Sequence, residues 1–333
     1  MMTRDLSPMA RDADGVPKIA CKASRSSLPA VSVIIAAYGA SLDLPGCVQT
    51  LQRQEMEDWE ALIIDDASTD DTFDVATSLA AMDSRVTVYR LKMNGGPSAA
   101  RNLGLLMAVG KWVAVLDADD RLDPSRFALL LAQGNAAGCD LIFDNMAALH
   151  GDGSCGAPYW PNWTDRSVSI GLTEMLRGCA GGGVAHYGVL KPFVRRSFIV
   201  ESGVRYDLRL RQGEDVHFHV SLMLAGARTE RNAKVGYLYS EPASGDISRA
   251  SQTNISHRLR ATELIIESSS GRLNAAQRFW ISVRLRNARN AESFSELVQA
   301  IRNRRLIRAS VVFFRAPWVG VQVGLRVASR FWS

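Results

Sequence analysis

The sequence predicts an α/β fold: a mainly parallel sheet flanked by helices, followed by a helical, basic C-terminal extension. Three observations predict it. From residue 31 onward, short continuous apolar runs alternate with segments of helical periodicity. Acidic residues fall directly behind those runs, where loops leaving a parallel sheet line a ligand crevice. The 333 residues, 47% hydrophobic and 22% charged, are enough for one catalytic domain and an appendage.

In order along the chain, residues 1–30 mix Asp, Arg, Pro and Ser with single apolar residues and read as a loose tail. No continuous apolar stretch follows the early charges, as a secretory signal would require. VSVIIAA (31–37) reads as a buried strand, Leu44 to Leu51 as a helix, and EALIID (60–65) as a second strand. Asp70 to Met82 is a helix opened by Asp and Thr caps, VTVYRL (86–91) a strand, Pro97 to Val109 a helix closed by Gly110, and KWVAVLD (111–117) a strand. After Asp123-Pro124 a helix runs to about Leu131, and DLIFDN (140–145) is one more strand. Residues 147–190, with PYWPNW and AGGG inside them, read as long loops of the kind acceptor sites and lids use. Order returns at Leu190 to Ser202, GEDVHFHVSLMLAG (213–226) is an amphipathic helix, KVGYLY (234–239) a short strand, and the chain from about Asn254 is helical and increasingly basic.

Composition narrows the chemistry. The five cysteines, at 21, 47, 139, 155 and 179, form no C-x-x-C pair and fit a reduced, cytosolic setting. Histidine is scarce and HExxH is absent, so a bound metal would be held by oxygen ligands, which points to Mg2+ or Mn2+. Residues 297–333 hold seven Arg and no acidic residue, interspersed with Phe313, Phe314, Trp318 and Trp332. That mixture suits an anionic membrane surface better than nucleic acid, although a helix packed on the catalytic domain is the alternative. The run is too interrupted by Arg to cross a bilayer.

Two carboxylate clusters should converge at one edge of the sheet: Asp65 and Asp66 after the second strand, and Asp117, Asp119 and Asp120 after KWVAVL. Carboxylates crowded in one loop repel one another unless a cation sits between them, and a divalent cation stabilises the charge growing on a departing diphosphate. NGGPSAARNLG (94–104) opens a helix with two glycines and places Arg101 one turn inside, an arrangement able to face a phosphate. Glu214 and Asp215 open a helix, where a carboxylate could take a proton from an acceptor hydroxyl.

Taken together, VSVIIAAYG, IIDDASTDDT, NGGPSAARNLGL, GKWVAVLDADDRLDP and RQGEDVHF closely resemble family 2 inverting glycosyltransferases, with their Rossmann-like GT-A fold. The five motifs stand in the right order and span residues 31–218. The resemblance implies that Ala37 and Tyr38 lie against the nucleotide base, that Asp66 bonds its edge, and that Arg101 and Ala118 lie at the nucleotide sugar. It implies that Asp117 contacts the ribose or the metal, that Asp119 binds the metal with Asp120 as the alternate ligand, and that Asp215 is the general base with Glu214 beside it. His257 is a further candidate at the metal or diphosphate. Two departures stand out: Gly39 follows Tyr38 where the family commonly has Asn, and the Q-x-x-R-W motif of processive members is missing, since QRFW at 277–280 lacks its spacing.

The expected organisation is a tail (1–30), a nucleotide-sugar-binding half (31–123), an acceptor half carrying the base (124–250) and a membrane-associating extension (251–333). The expected function is metal-dependent, non-processive transfer of a hexose from a UDP-sugar, with inversion, onto a lipid-linked oligosaccharide for a bacterial exopolysaccharide of the succinoglycan type. The enzyme would work on the cytoplasmic face of the membrane, with no nucleic-acid partner. The rival is a non-catalytic sugar-nucleotide-binding or scaffold protein of the same fold. A nicotinamide-dependent oxidoreductase is disfavoured, because the first strand leads into AAYGASLDLPG rather than G-x-G-x-x-G.

Overall fold

Apolar runs in the first third of the chain are continuous rather than alternating, as strands covered on both faces require. In the computed structural model, which describes residues 18–21, 28–163, 167–180, 186–240, 252–269 and 271–302, they form the middle of a mixed sheet. Strands β2 (Val31–Ala37), β3 (Trp59–Asp65), β4 (Val86–Arg90) and β5 (Trp112–Asp117) lie parallel in the order β4-β3-β2-β5. Helices α1 (Leu44–Gln52), α2 (Thr72–Met82) and α3 (Pro97–Met107) connect them. The order reverses between β2 and β5, so the crevice beyond their carboxyl ends is the place where this topology binds ligands. Ala36 and Asp117 are register partners at that edge. Helix α3 can lie close on the sheet because position 104 is glycine: a Cβ there would come within 2.4 Å of Ile34.

Beyond β5 the sheet changes character. A two-residue strand β6 (Arg121–Leu122) leaves the Asp-rich loop, and α4 (Arg126–Ala137) leads through a left-handed Gly138 to β7 (Leu141–Leu149). Short strands β8 (Cys155–Pro158) and β9 (Val168–Ser169) precede α5 (Leu172–Ala180). Strand β10 (Pro192–Arg195) then inserts antiparallel between β5 and β7, and α6 (Arg196–Ser202) follows. After α7 (Glu214–Leu224), β11 (Thr229–Ser240) runs parallel to β7 and pairs with β6, so that Tyr237 lies opposite Leu122. Helices α8 (Gln252–Ser268) and α9 (Ala275–Arg302) complete the described chain.

The expected sheet flanked by helices is present, parallel in its first half and mixed in its second. Three expectations need correction, the first being the long loops at 147–190, among which α5, β8 and β9 form. Residues 18–21 are not tail but a strand, β1 (Lys18–Cys21), whose backbone pairs with the free edge of β4. The short strand expected at 234–239 begins at Thr229, because pairing with β7 carries it through a stretch of Arg, Asn and Lys that has no strand pattern. The C-terminal aromatic residues Phe313, Phe314, Trp318 and Trp332 lie outside the described residues, and no described helix is long and apolar enough to cross a membrane.

Candidate active site

The crevice is built from the carboxyl ends of β2, β3 and β5, with α3 and α7 beneath it. Past the buried Ala37, Tyr38 stands 56% exposed, and the chain turns at Gly39 with φ +63°. Ser68 and Thr72 secure this turn: the Gly39 amide donates to Ser68 Oγ (3.2 Å) and the Ala40 amide to Thr72 Oγ1 (2.8 Å). The neighbouring Ala67 is held at φ +57°, a conformation that costs free energy in a residue with a Cβ and that clusters at functional loops.

Asp65 and Asp66 part company at the end of β3. Asp65 braces its own loop, accepting from the Ser68 amide and pairing with Arg90 at 3.0 Å. Asp66 accepts from the amides of Gly95 (2.7 Å) and Gly96 (2.8 Å) at the start of α3, and burial nonetheless raises its pKa. This corrects the expectation that the NGG amides face a phosphate: Asp66 occupies them, leaving spare lone pairs on its two oxygens.

Arg101 has a different role from the one expected as well. It is 4% exposed, and its guanidinium is shared by three carboxylates: Nη2 donates to Asp117 (2.7 Å), and Nη1 to Glu214 (2.8 Å) and Asp215 (2.9 Å). Rather than a surface phosphate ligand, it is the post to which the two acidic motifs are tied. The rest of the SAARN segment serves the same end. Ser98 donates to the Leu210 carbonyl, and Asn102 exchanges two hydrogen bonds with the backbone of Tyr206. Residues 98, 101 and 102 share one helix face, so α3 holds the loop that delivers Glu214 and Asp215. Gly213, at φ +76°, makes the turn into α7, whose first-turn acids lie at the positive end of the helix dipole.

The group that sequence reading missed is Lys191. Its ammonium, 8% exposed, donates to Asp117 Oδ2 (2.7 Å) and Asp215 Oδ2 (3.2 Å). Asp117 and Asp215 therefore share two cations although 98 positions separate them. Nothing local marks Lys191. Its position follows only from β10 entering beside β5, which puts the residue before β10 at the crevice edge.

Charge in this cluster is unbalanced. Burial disfavours every ion in it, but Lys191 and Arg101 outweigh burial at Asp117 and hold it far below the usual carboxylate range. Burial likewise opposes ionisation of Asp215, yet Arg101 and Lys191 lower its pKa. Glu214 moves the other way, raised by burial and by the charge of Asp215.

The D-A-D-D loop splits three ways around a buried Ala118. Asp120 is 1% exposed and accepts from the Tyr237 hydroxyl (2.6 Å) and the Ser240 amide (2.9 Å); burial and the neighbouring Asp117 and Asp119 push its pKa up to about 8. The Tyr237 oxygen in turn accepts from the Asp117 amide (3.1 Å), so Tyr237 locks the loop. Asp119 points outward. Among the described residues no three His, Cys, Asp or Glu side chains converge as a metal-ligand set. Of Asp117, Asp119 and Asp120, two are turned away, one to cations and one to Tyr237.

A divalent cation nevertheless fits the mouth in another manner. Mg2+ and its relatives are commonly held by one or two carboxylates together with substrate phosphates and water. Asp119 is solvent-facing, and no cation pairs with it among the described residues. It therefore presents the unmet negative charge such an ion needs, with Asp117 beside it. His257, the further candidate, is part-exposed on α8, and its backbone carbonyl passes 3.9 Å from where a Cβ on Gly213 would stand.

Comparison with known proteins shows what the chain resembles. The family model described as glycosyl transferase family 2 matches residues 32–166. The chain is 28% identical to the succinoglycan biosynthesis protein ExoO of Rhizobium meliloti (strain 1021), over 91% of this chain and 86% of that one. Among solved structures, S. aureus TarS 1-349 in complex with UDP-GlcNAc superposes with a TM-score of 0.55 at 16% identity, covering 86% of this chain and 91% of that chain. The mannosyltransferase PcManGT from Pyrobaculum calidifontis, in complex with GDP-Man and Mn2+, gives 0.56 at 16% identity, covering 91% and 87%. At such identities the structural likeness shows a shared GT-A fold; those two proteins carry different nucleotides, so fold alone does not choose the base.

Proposed function

Since this chain belongs to glycosyl transferase family 2, we propose that it moves one hexose from a UDP-sugar, with inversion, onto a lipid-linked oligosaccharide during assembly of a bacterial exopolysaccharide. The observation that carries the reading is the meeting of the two acidic motifs: Asp117 at the end of β5 and Asp215 at the start of α7 share Arg101 and Lys191. The likeness to ExoO supports the pathway, and the UDP-GlcNAc and GDP-Man bound by TarS and PcManGT support a nucleotide-sugar donor, with UDP as this reading's own choice.

In this reading Tyr38 and Asp66 border the nucleotide, and the diphosphate lies at the mouth by Asp119 and Asp117. A divalent cation held there by Asp119 would supply Lewis-acid stabilisation to the leaving diphosphate. The acceptor oxygen attacks the anomeric carbon, the bond to UDP breaks with its electron pair leaving on UDP, and the hydroxyl proton passes to Asp215. Asp215 starts ionised, as a base must, because Arg101 and Lys191 stabilise its charge. The same two cations make it a weak base at rest, so one of its oxygens must be released toward the acceptor, and Lys191, with the longer bond of 3.2 Å, is the one to yield. Arg101 stays in place, tied to three carboxylates.

The test is release of UDP from a panel of sugar nucleotides, with lipid-linked acceptors and with a chelator as control. Turnover that needs both acceptor and metal is expected. Tight UDP binding with no turnover on any acceptor would instead favour a sugar-nucleotide-binding protein.

A further inference from the structure

One cluster in the acceptor half is left unused by this mechanism. Trp160 and Trp163 stack with ring centroids 5.0 Å apart and planes within 18°, and Tyr187 meets both edge-on at 5.5 and 5.6 Å. Trp163 is buried and backs Trp160, which stays part-exposed, as does Tyr159. The wall is braced rather than loosely collapsed. The side chain of buried Asn145 clamps Trp160 by both backbone groups, accepting from its amide (3.3 Å) and donating to its carbonyl (2.9 Å). Trp163 Nε1 donates to the Tyr187 hydroxyl (3.0 Å), and Arg231 lies 5.0 Å over the Trp163 ring with its Nε 3.8 Å from Glu174 Oε1.

Its position is fixed by register. Phe193 on β10 pairs with Ala114 on β5 and with Ile142 on β7, and Asp117 and Asn145 lie equally far beyond those rungs. The clamp on Trp160 thus stands level with Asp117, two strand spacings or about 10 Å to the side. The turn carrying Tyr187 lies flush on α7 next to Asp215, since a Cβ on Gly188 would come within 2.4 Å of Val216, and the same segment runs on to Lys191. The wall therefore borders the base on the side away from β2 and β3, where the nucleotide is placed.

We propose that this aromatic wall is the acceptor subsite and that it takes a pyranose ring, so that the acceptor is recognised by its terminal saccharide and not by its lipid. A flat indole face with a polar rim suits a sugar, which offers C–H groups on its ring faces and hydroxyls at its edge. The inference rests on the glycosyltransferase reading.

The test is saturation-transfer NMR on the full chain with cellobiose, lactose and N,N′-diacetylchitobiose as probes, UDP being present, alongside calorimetric titration of UDP. At least one disaccharide should show transfer to its ring C–H protons. Its affinity should fall about tenfold in Trp160→Leu, which keeps apolar bulk but loses the flat face, and be largely kept in Trp160→Phe. UDP affinity should match wild type in both variants, which also reports that they fold. If UDP binds and no disaccharide gives a signal, or Trp160→Leu binds the probe as well as wild type, the acceptor wall is overturned. If wild type fails to bind UDP, the glycosyltransferase reading itself fails, and the wall's role with it.

Discussion

Two buried ion clusters lie on either side of β10 and differ in how their charge is met. Arg126 on α4 and Asp144 on β7 form a closed bidentate pair at 2.7 and 2.8 Å, with side chains 0% and 3% exposed: one cation for one anion. Around Arg101 and Lys191, three carboxylates share two cations, and one of them, Asp117, keeps 28% of its side chain open. The first cluster is balanced in charge and its surroundings fit it tightly; a Cβ on Gly236 would fall within 2.1 Å of Asp144. The second is over-acidic and faces the crevice. Burial of charge by itself does not mark function, since both clusters are buried. Unmet charge at a ligand-binding edge does.

Substitutions should separate the two clusters. The largest effect is expected for Asp215→Asn, which removes the proton acceptor: transfer should fall by about 10²–10⁴ while UDP affinity stays close to wild type. Single-turnover transfer near the wild-type rate would remove Asp215 as the base. Next, Arg126→Met leaves a buried unpaired carboxylate and should cost about 3–5 kcal/mol of stability in denaturant titration, with transfer per folded molecule unchanged. An Arg126→Met protein that is stable but inactive would undo the contrast between the clusters.

Lys191→Gln keeps a donor but not the charge, and should lower kcat by about 10–100-fold, less than loss of the base itself. Lys191 then counts as a positioning residue, and a pH profile of kcat displaced relative to wild type is the sign that separates this role from loss of packing. Asp119→Ala should weaken UDP binding only when Mn2+ is present; equal loss with and without the ion would argue against a metal at the mouth.

The mildest change concerns acid. Burial holds His186 and His219 down to about 4 from an ordinary 6.5. Their unfolded counterparts take up protons from about pH 6.5 downward, whereas the folded groups resist until about pH 4, so the unfolded state binds more protons in that window. Stability should therefore decline as pH falls from about 6.5 to about 4, and the decline in Tm should be smaller in His219→Phe.

Much of the first half of the fold was legible because its signals are local. Runs such as VSVIIAA and KWVAVLD are continuous because the strands are buried on both faces, and Asp66, Asp117 and Asp119 follow the strand ends as parallel topology requires. The second half was less so. Strand β10 is four residues long, and the first half of β11 runs through Arg, Asn and Lys, so neither stretch has a period to read; partners contributed by β5 and β7 make them strands. The role of Arg101 was misread for a related reason: a cation one turn into a glycine-rich helix start looks alike whether it faces a phosphate or three carboxylates from other segments.

By itself the sequence determined the family motifs, the order of strands and helices from residue 31 to residue 117, and which acids stand at strand ends. These follow from periodicity and chain-neighbour chemistry, which act over a few residues. Only the tertiary structure decided that Asp120 turns inward to Tyr237, that Asp66 caps the start of α3, that Lys191 joins Asp117 to Asp215, and that Trp160 stands level with them. Charge and hydrogen bonding at those places depend on groups far apart in the chain, and strand insertion sets their distances.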